Sequence, residues 1–366
     1  MGGISVSNSS ITIKSIFRKY EVFFEEDYNS LTEQLFEEIN YHVIIDNKVY
    51  ELHQDNLGWV KNAVSIIGID AIEKNKNINT VKNIAEELLK NKINKNDKII
   101  VIGGGIIQDV AAFTANIIKR GVGWYFIPTT LLAMCDSCIG SKVGINMSGY
   151  KNQLGIFCPP EKVFINLDYL STLEVNDVLS GLGEIIKVHL ISGDNDYSKL
   201  ESNYDKTIKD YNYLRPFIYQ SLTIKKKIVE FDEFDEKYRH ILNYGHTFGH
   251  AIEAYTNNKV PHGIAVTIGM DIANYISLNK KYISKDVFNR VSNTLRKNIP
   301  YESLDFRNRS KMMKFMKGDK KYDGSNLNVI LCKGIGNIYV DKIDVDKTLF
   351  DLIDEYTAKY VSAKNL

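Results

Sequence analysis

Apolar and polar residues follow two textures along the chain. In the first part, short unbroken apolar runs alternate with amphipathic stretches. Residues 43–45 form such a run, ending in Asp46, and residues 98–102 (KIIVI) and 124–127 (WYFI) form two more. Continuous apolar strands fit a sheet covered on both faces. Residues 79–90 and 110–119 carry helical periodicity. Strands alternating with helices predict βαβ units and a parallel sheet. After about Leu173 the pattern turns helical, over 179–191, 214–230, 241–255 and 264–278, and a strand signal returns only at 327–331. The expected fold is an α/β Rossmann-like domain over residues 1–172, followed by a mostly α-helical domain over 173–366. There is no internal repeat and no low-complexity linker. The mixed-charge stretch 230–239 reads as a solvated helix end or loop.

The run 98–102 leads straight into Gly103-Gly104-Gly105-Ile106-Ile107-Gln108-Asp109, and a helix follows. Glycines at a strand-to-helix turn permit close backbone approach to a ligand. The free N–H groups of the helix start suit a pyrophosphate. The spacing is not the usual G-x-G-x-x-G, and a tight turn without a ligand fits it equally well. Residues 128–152 place Asp136, Lys142, Asn146, Lys151 and Asn152 among glycines, as a wrapped polar ligand or a surface loop with solvated lysines would. Cys135 and Cys138 form a lone C-x-x-C. With no second pair, they read as two small packed residues rather than a zinc ribbon or a dithiol.

Metal-binding residue types cluster further on. Glu184 and Lys187 share one face of an apolar helix, where a carboxylate is costly unless paired or metal-bound. His246 and His250 stand one helical turn apart, and His262 follows Pro261. One Glu and two His make a catalytic zinc set with an open position. The peptidase pattern H-E-x-x-H is absent, because the segment reads H-T-F-G-H and Thr247 cannot act as the base.

Bulk properties narrow the partners. Of 366 residues, 46 are Lys or Arg and 45 Asp or Glu, a net charge of +1, so no strong field draws the chain to nucleic acid. An anionic substrate must then be held by a local cluster of cations. No apolar run is long enough to span a bilayer. Met1 to Val6 shows neither a secretory signal nor a myristoylation pattern. Four cysteines in a chain this long make no disulfide scaffold. A cytoplasmic enzyme is expected.

The stretches GGGIIQDVAAF, KRGVGWYFIPTTLLA, DSCIGSKVGIN, KNQLG, SGLGEIIK, RHILNYGHTFGHAIE, PHG and DKK near 319 occur in one order and spacing. In these the chain resembles the 3-dehydroquinate synthase family over roughly residues 40–340. The resemblance implies an N-terminal NAD domain, a helical metal domain and an active site between them. It implies Glu184, His246 and His262 as ligands of Zn2+ (or Co2+). It implies NAD contacts at Asp46, Glu73, Lys76, Gly104, Gly105, Asp109, Thr129, Thr130, Lys142, Lys151 and Thr172. Catalytic and substrate contacts carry over to Asp136, Lys142, Asn152, Lys187, Lys225, Arg239, Asn243, His246, His250 and Lys320. Arg120 matches the residue that reaches the neighbour's substrate phosphate in a homodimer.

The implied reaction converts 3-deoxy-arabino-heptulosonate 7-phosphate to 3-dehydroquinate, in the shikimate pathway. In it NAD oxidises an alcohol polarised by zinc, phosphate leaves, the hydride returns and an intramolecular aldol closes the ring. Several positions depart from the family pattern: Lys48, Gln108, Ser141, Glu174, Tyr244 and Ile264. Ile264 replaces a Glu beside a ligand His, which leaves a paralogous cyclase for a related heptulose phosphate as an alternative. A polyol dehydrogenase of the glycerol dehydrogenase type is another.

Overall fold

The structure, a computed structural model, describes residues 10–24, 39–148, 150–301, 304, 306, 308–317 and 326–361. Lys320 and the 319–321 run, Gly149 and residues 1–9 lie outside the described residues. The chain forms two compact units, Met1–Leu173 with Ile218–Glu233, and Glu174–Phe217 with Phe234–Leu366.

The first unit is built on a seven-stranded sheet. Its strands are β1 (Ser10–Lys14), β2 (Lys19–Phe24), β3 (Tyr41–Asp46), β4 (Ser65–Ile69), β5 (Lys98–Gly103), β6 (Gly123–Pro128) and β9 (Lys162–Ile165), in the order β1-β2-β9-β6-β5-β3-β4. All neighbours pair in parallel except β1 with β2. The apolar runs read from the sequence lie inside β3, β5 and β6, where Val43, Ile44, Ile45, Ile99 to Ile102, Phe126 and Ile127 are fully buried. Helices α1 (Asn47–Leu52), α2 (Ile78–Lys90) and α3 (Gly105–Ile117) make crossovers. α2 buries Val81, Ile84 and Leu88, and the Asn77 side chain caps it by accepting from Thr80 N. The strand order reverses between β3 and β5, because β4 lies on one side of β3 and β5 on the other. In open parallel sheets, ligands bind at the carboxyl ends of the strands at such a switch point. Asp46 ends β3 there, and the glycine turn leaves β5.

Two features were not evident in the sequence. Residues 142–157 form a hairpin, β7 (Lys142–Met147) with β8 (Tyr150–Phe157). The stretch 230–239 is not simply solvated, since Glu233 and Arg239 are buried. Glu233 accepts hydrogen bonds from Ser15 Oγ (2.6 Å), Ile16 N (2.7 Å) and Ser141 Oγ.

The second unit is mostly helical: α4 (Val175–Ser192), α5 (Asp194–Lys209), α6 (Arg215–Phe231, whose residues from Ile218 onward pack in the first unit), α7 (His246–Tyr255), α8 (His262–Asn279), α9 (Lys285–Lys297), α10 (Arg309–Lys317) and α11 (Lys347–Tyr356). It also carries the antiparallel pair β10 (Asn326–Cys332) and β11 (Ile338–Asp344). α8 is buried from Gly263 to Ser277, which explains its apolar sequence. The helix expected over 241–255 is interrupted. A 3-10 turn spans Tyr238–Asn243, and α7 starts only after Gly245, whose φ of 81° breaks the helix. α4 and α8 touch backbone to backbone at Gly263, where a Cβ would lie 1.8 Å from the Ser180 carbonyl oxygen.

Candidate active site

In the first unit, Glu73, Lys76 and Asp109, three of the residues expected at a dinucleotide, are linked through Asn146 and one another. Asn146 Nδ2 donates to Glu73 Oε1 (2.7 Å), its N donates to the Lys76 carbonyl (2.8 Å), and its Oδ1 accepts from Asn152 N (2.9 Å). Lys76 Nζ pairs with Asp109 Oδ2 at 2.5 Å, and Asp109 Oδ1 accepts from Gly144 N at 3.1 Å. Burial raises the Asp109 pKa, against the opposing pull of Lys76 and these hydrogen bonds. Partial burial likewise raises the Asp46 pKa, although its side chain accepts from Lys48 N.

Gly104 caps α3 with extended backbone, and a Cβ at Gly105 would meet only Ser137 Oγ, 4.0 Å away. No side chain caps the helix start, the kind of end at which an anion can be bound. Thr129 N donates to the Gly103 carbonyl, Thr130 Oγ1 accepts from Ala133 N, and Thr172 Oγ1 lies 2.8 Å from His53 Nε2. Asp136 and Lys225 form an ion pair at 2.8 Å. Lys142, Lys151 and Asn152 are exposed on the hairpin, and Arg120 is exposed in a turn with φ 61°.

Two departures from the family pattern have local structural partners. Gln108 Nε2 donates to the Ser137 carbonyl (2.7 Å), and Ser137 Oγ donates back to Gln108 Oε1 (2.6 Å), tying α3 to the 133–137 turn. Ser141 holds φ 63° and donates to buried Glu233. The C-x-x-C thiols are buried and form no disulfide, and burial pushes Cys138 up to about 12, the character of packing residues.

The second unit assembles the metal-binding residues. Glu184 is 1 % exposed, and Lys187 Nζ pairs with its Oε2. Its Oε1 is buried with no hydrogen-bond partner, 3.9 Å from His246 Nε2 and 3.7 Å from His262 Nε2. The donor atoms of these three residues lie within 4.8 Å of one another. An orphaned carboxylate oxygen is costly in a protein interior, and a cation shared with two imidazoles satisfies it. The donor set therefore fits a divalent cation of the zinc type.

His246 Nδ1 lies 3.3 Å from the Tyr244 carbonyl, so its Nε2 can face Glu184 as a neutral ligand. His250 stands 5.4 Å from the His246 ring, centroid to centroid. His262 Nδ1 lies 3.0 Å from Glu253 Oε2. Burial disfavours the charged His262 ring, but Glu253 and Glu184 outweigh it and raise the pKa. Asn243 and buried Arg239 lie in the turn before α7. Sequence reasoning placed Asn146 in a polar, glycine-spaced segment without a partner, and it did not single out Glu253. Both sit in polar patterns ordinary for a strand and a helix, and only the fold shows what they touch.

Comparison with known proteins agrees with both halves. Residues 66–180 match the 3-dehydroquinate synthase N-terminal family and residues 181–322 the 3-dehydroquinate synthase C-terminal family. A 3-dehydroquinate synthase of Pelagibacter ubique is 38% identical over 337 residues, covering 90% of each chain. That of Clostridium tetani is 36% identical over 308 residues, covering 83% of this chain and 82% of the relative. In fold, the chain is similar to 2-deoxy-scyllo-inosose synthase, solved with carbaglucose-6-phosphate, NAD+ and Co2+. That likeness has a TM-score of 0.83 at 24% identity, over 94% of this chain and 99% of that one. With a Rossmann-like first unit, a helical second unit and these relatives, the chain belongs to the 3-dehydroquinate synthase family.

Proposed function

We propose that the protein converts 3-deoxy-arabino-heptulosonate 7-phosphate to 3-dehydroquinate with release of phosphate, using NAD catalytically and a bound Zn2+ or Co2+. The observation that carries this reading is the buried, unpartnered Oε1 of Glu184 facing the Nε2 atoms of His246 and His262, in a chain of this family. Those three residues would hold the metal, which supplies Lewis-acid polarisation of a substrate oxygen. NAD would be held by Asp46, Glu73, Lys76, Gly104, Gly105, Asp109, Thr129, Thr130, Lys142, Lys151 and Thr172, and it supplies a reversible hydride acceptor.

The protein's own side chains would do the rest. Lys142, Lys225 and Arg239 would supply the positive charge that a phosphate and a carboxylate need, the last as a planar fork. Lys187 neutralises Glu184, and Asp136 holds Lys225 in place. His250, exposed and beside His246, can carry protons near neutral pH. Asn152, Asn243 and Lys320 would complete the substrate contacts. In a cytoplasmic homodimer, Arg120 would serve the neighbouring subunit's phosphate.

The test is phosphate release by purified protein with NAD and Zn2+. The expected outcome is release from 3-deoxy-arabino-heptulosonate 7-phosphate with no net NADH. Release from sedoheptulose 7-phosphate alone would make the protein a paralogous cyclase, and NADH accumulation without phosphate release would make it a dehydrogenase.

A further inference from the structure

The two imidazoles facing Glu184 are anchored differently. His246 turns its Nδ1 to a neutral backbone carbonyl, that of Tyr244, at 3.3 Å. His262 turns its Nδ1 to the carboxylate of Glu253, at 3.0 Å. A hydrogen bond to a carboxylate is charge-assisted and stronger than one to a carbonyl. His262 is also the first residue of α8, whose N-cap Pro261 offers no side-chain hydrogen bond. A ring at a helix start lies in the positive field of the free N–H groups, which weakens it as a donor to a cation. The first turn of α8 provides no carboxylate to offset that field, and Ile264 within it is apolar and fully buried. Glu253, buried on α7, provides it.

We infer that Glu253 is a positioning residue of the metal site. Its carboxylate accepts the Nδ1–H of His262, fixes the tautomer and rotation of the ring, and so presents the Nε2 lone pair toward Glu184 Oε1. The inference rests on the metal reading proposed above. It accounts for a buried carboxylate that the proposed reaction does not otherwise use. Glu253 also lies with His250 and His262 in a second group of three possible donors. The geometry favours the positioning role, because His262 would have to use both ring nitrogens as ligands to serve two cations at once.

The experiment is a Zn2+ titration of metal-stripped full-length protein against a chromophoric chelator, with the Co2+ absorption spectrum recorded in parallel. The wild type is expected to bind one equivalent. Glu253→Gln keeps the shape and an acceptor but loses the charge. It is expected to bind one equivalent on the order of 10–100-fold more weakly, with a shifted Co2+ spectrum and an apo-protein melting temperature close to wild type. Glu253→Asp, which keeps the charge on a shorter arm, is expected to fall between the two, and it carries the test if the Gln variant does not fold.

Zinc affinity and Co2+ spectrum unchanged from wild type in the variant that folds would overturn the inference while leaving the metal site intact. Two equivalents in the wild type, with only one lost in the variant, would also overturn it by making Glu253 a ligand of a second cation. A wild type that binds no metal would sink the metal reading itself, and the inference with it.

Discussion

Ser141 occupies left-handed backbone that costs a non-glycine residue about 1–2 kcal/mol. Its hydroxyl offsets that by donating to Glu233, which also gathers Ser15 Oγ and Ile16 N. Ser141→Ala keeps the strained backbone and removes one donor from a buried carboxylate. Urea unfolding is expected to show a loss of about 1–3 kcal/mol, and Ser141→Gly, which relieves the backbone, a smaller one. Glu184 is the residue on which the proposed chemistry turns. Glu184→Gln is expected to leave the purified protein without stoichiometric zinc, by metal analysis, and without measurable phosphate release. The four cysteines follow from burial alone. All are buried, and Cys138 titrates far above neutrality. A thiol reagent at pH 8 is expected to label none of them in the native protein and all four after denaturation.

At the scale of elements, the metal site depends on how closely two helices can approach. Gly263 packs against the Ser180 carbonyl, and Gly183 meets the Gly263 carbonyl in return, since a Cβ on it would lie 2.2 Å away. Gly263→Ala forces α4 and α8 apart. Overpacking of this kind costs about 1–3 kcal/mol or more, and it moves Glu184 relative to His262. Both a lower urea midpoint and weaker zinc retention are expected, where a substitution on an exposed helix face would change neither.

This scale also shows what the sequence could and could not disclose. β3, β5 and β6 were legible because their apolar runs are unbroken and buried on both faces. β7 and β8 were not, because glycines and asparagines dilute their alternation and little beyond Val143 and Ile145 turns inward. The helix over 241–255 kept its apolar period through a break that one positive-φ glycine imposes. The metal donors could be read because Glu184 and Lys187 share a face, as His246 and His250 do. Glu253 could not, because nothing in its own helix reveals that His262, nine residues on, turns its ring onto it.

For the whole molecule, one buried histidine sets an acid limit. His189 lies inside the second unit with Nδ1 directed to the Ile185 carbonyl at 2.8 Å and Nε2 without a partner. Burial lowers its pKa from 6.5 to about 4. An unfolded chain takes up a proton near pH 6.5 that the folded chain refuses until about pH 4. Stability is therefore full above pH 6.5 and declines as the pH falls toward 4, by about 3 kcal/mol in all for this group. Chemical denaturation at pH 7 and pH 5 is expected to show a loss in the wild type that is smaller by about 2 kcal/mol in His189→Leu. An equal loss in both would assign the acid limit to other groups.

The first unit is discontinuous in sequence, because it takes in residues 218–233 after the chain has passed through 174–217 in the second. On a ribosome, the partners of Ser15, Ser141 and Asp136 are therefore translated well after those residues have emerged. A fragment ending at Leu173 leaves Ser141 strained without its acceptor and Asp136 without Lys225. Division of this protein into separately expressed halves has to follow its packing, with the 218–233 segment grafted onto the amino-terminal piece.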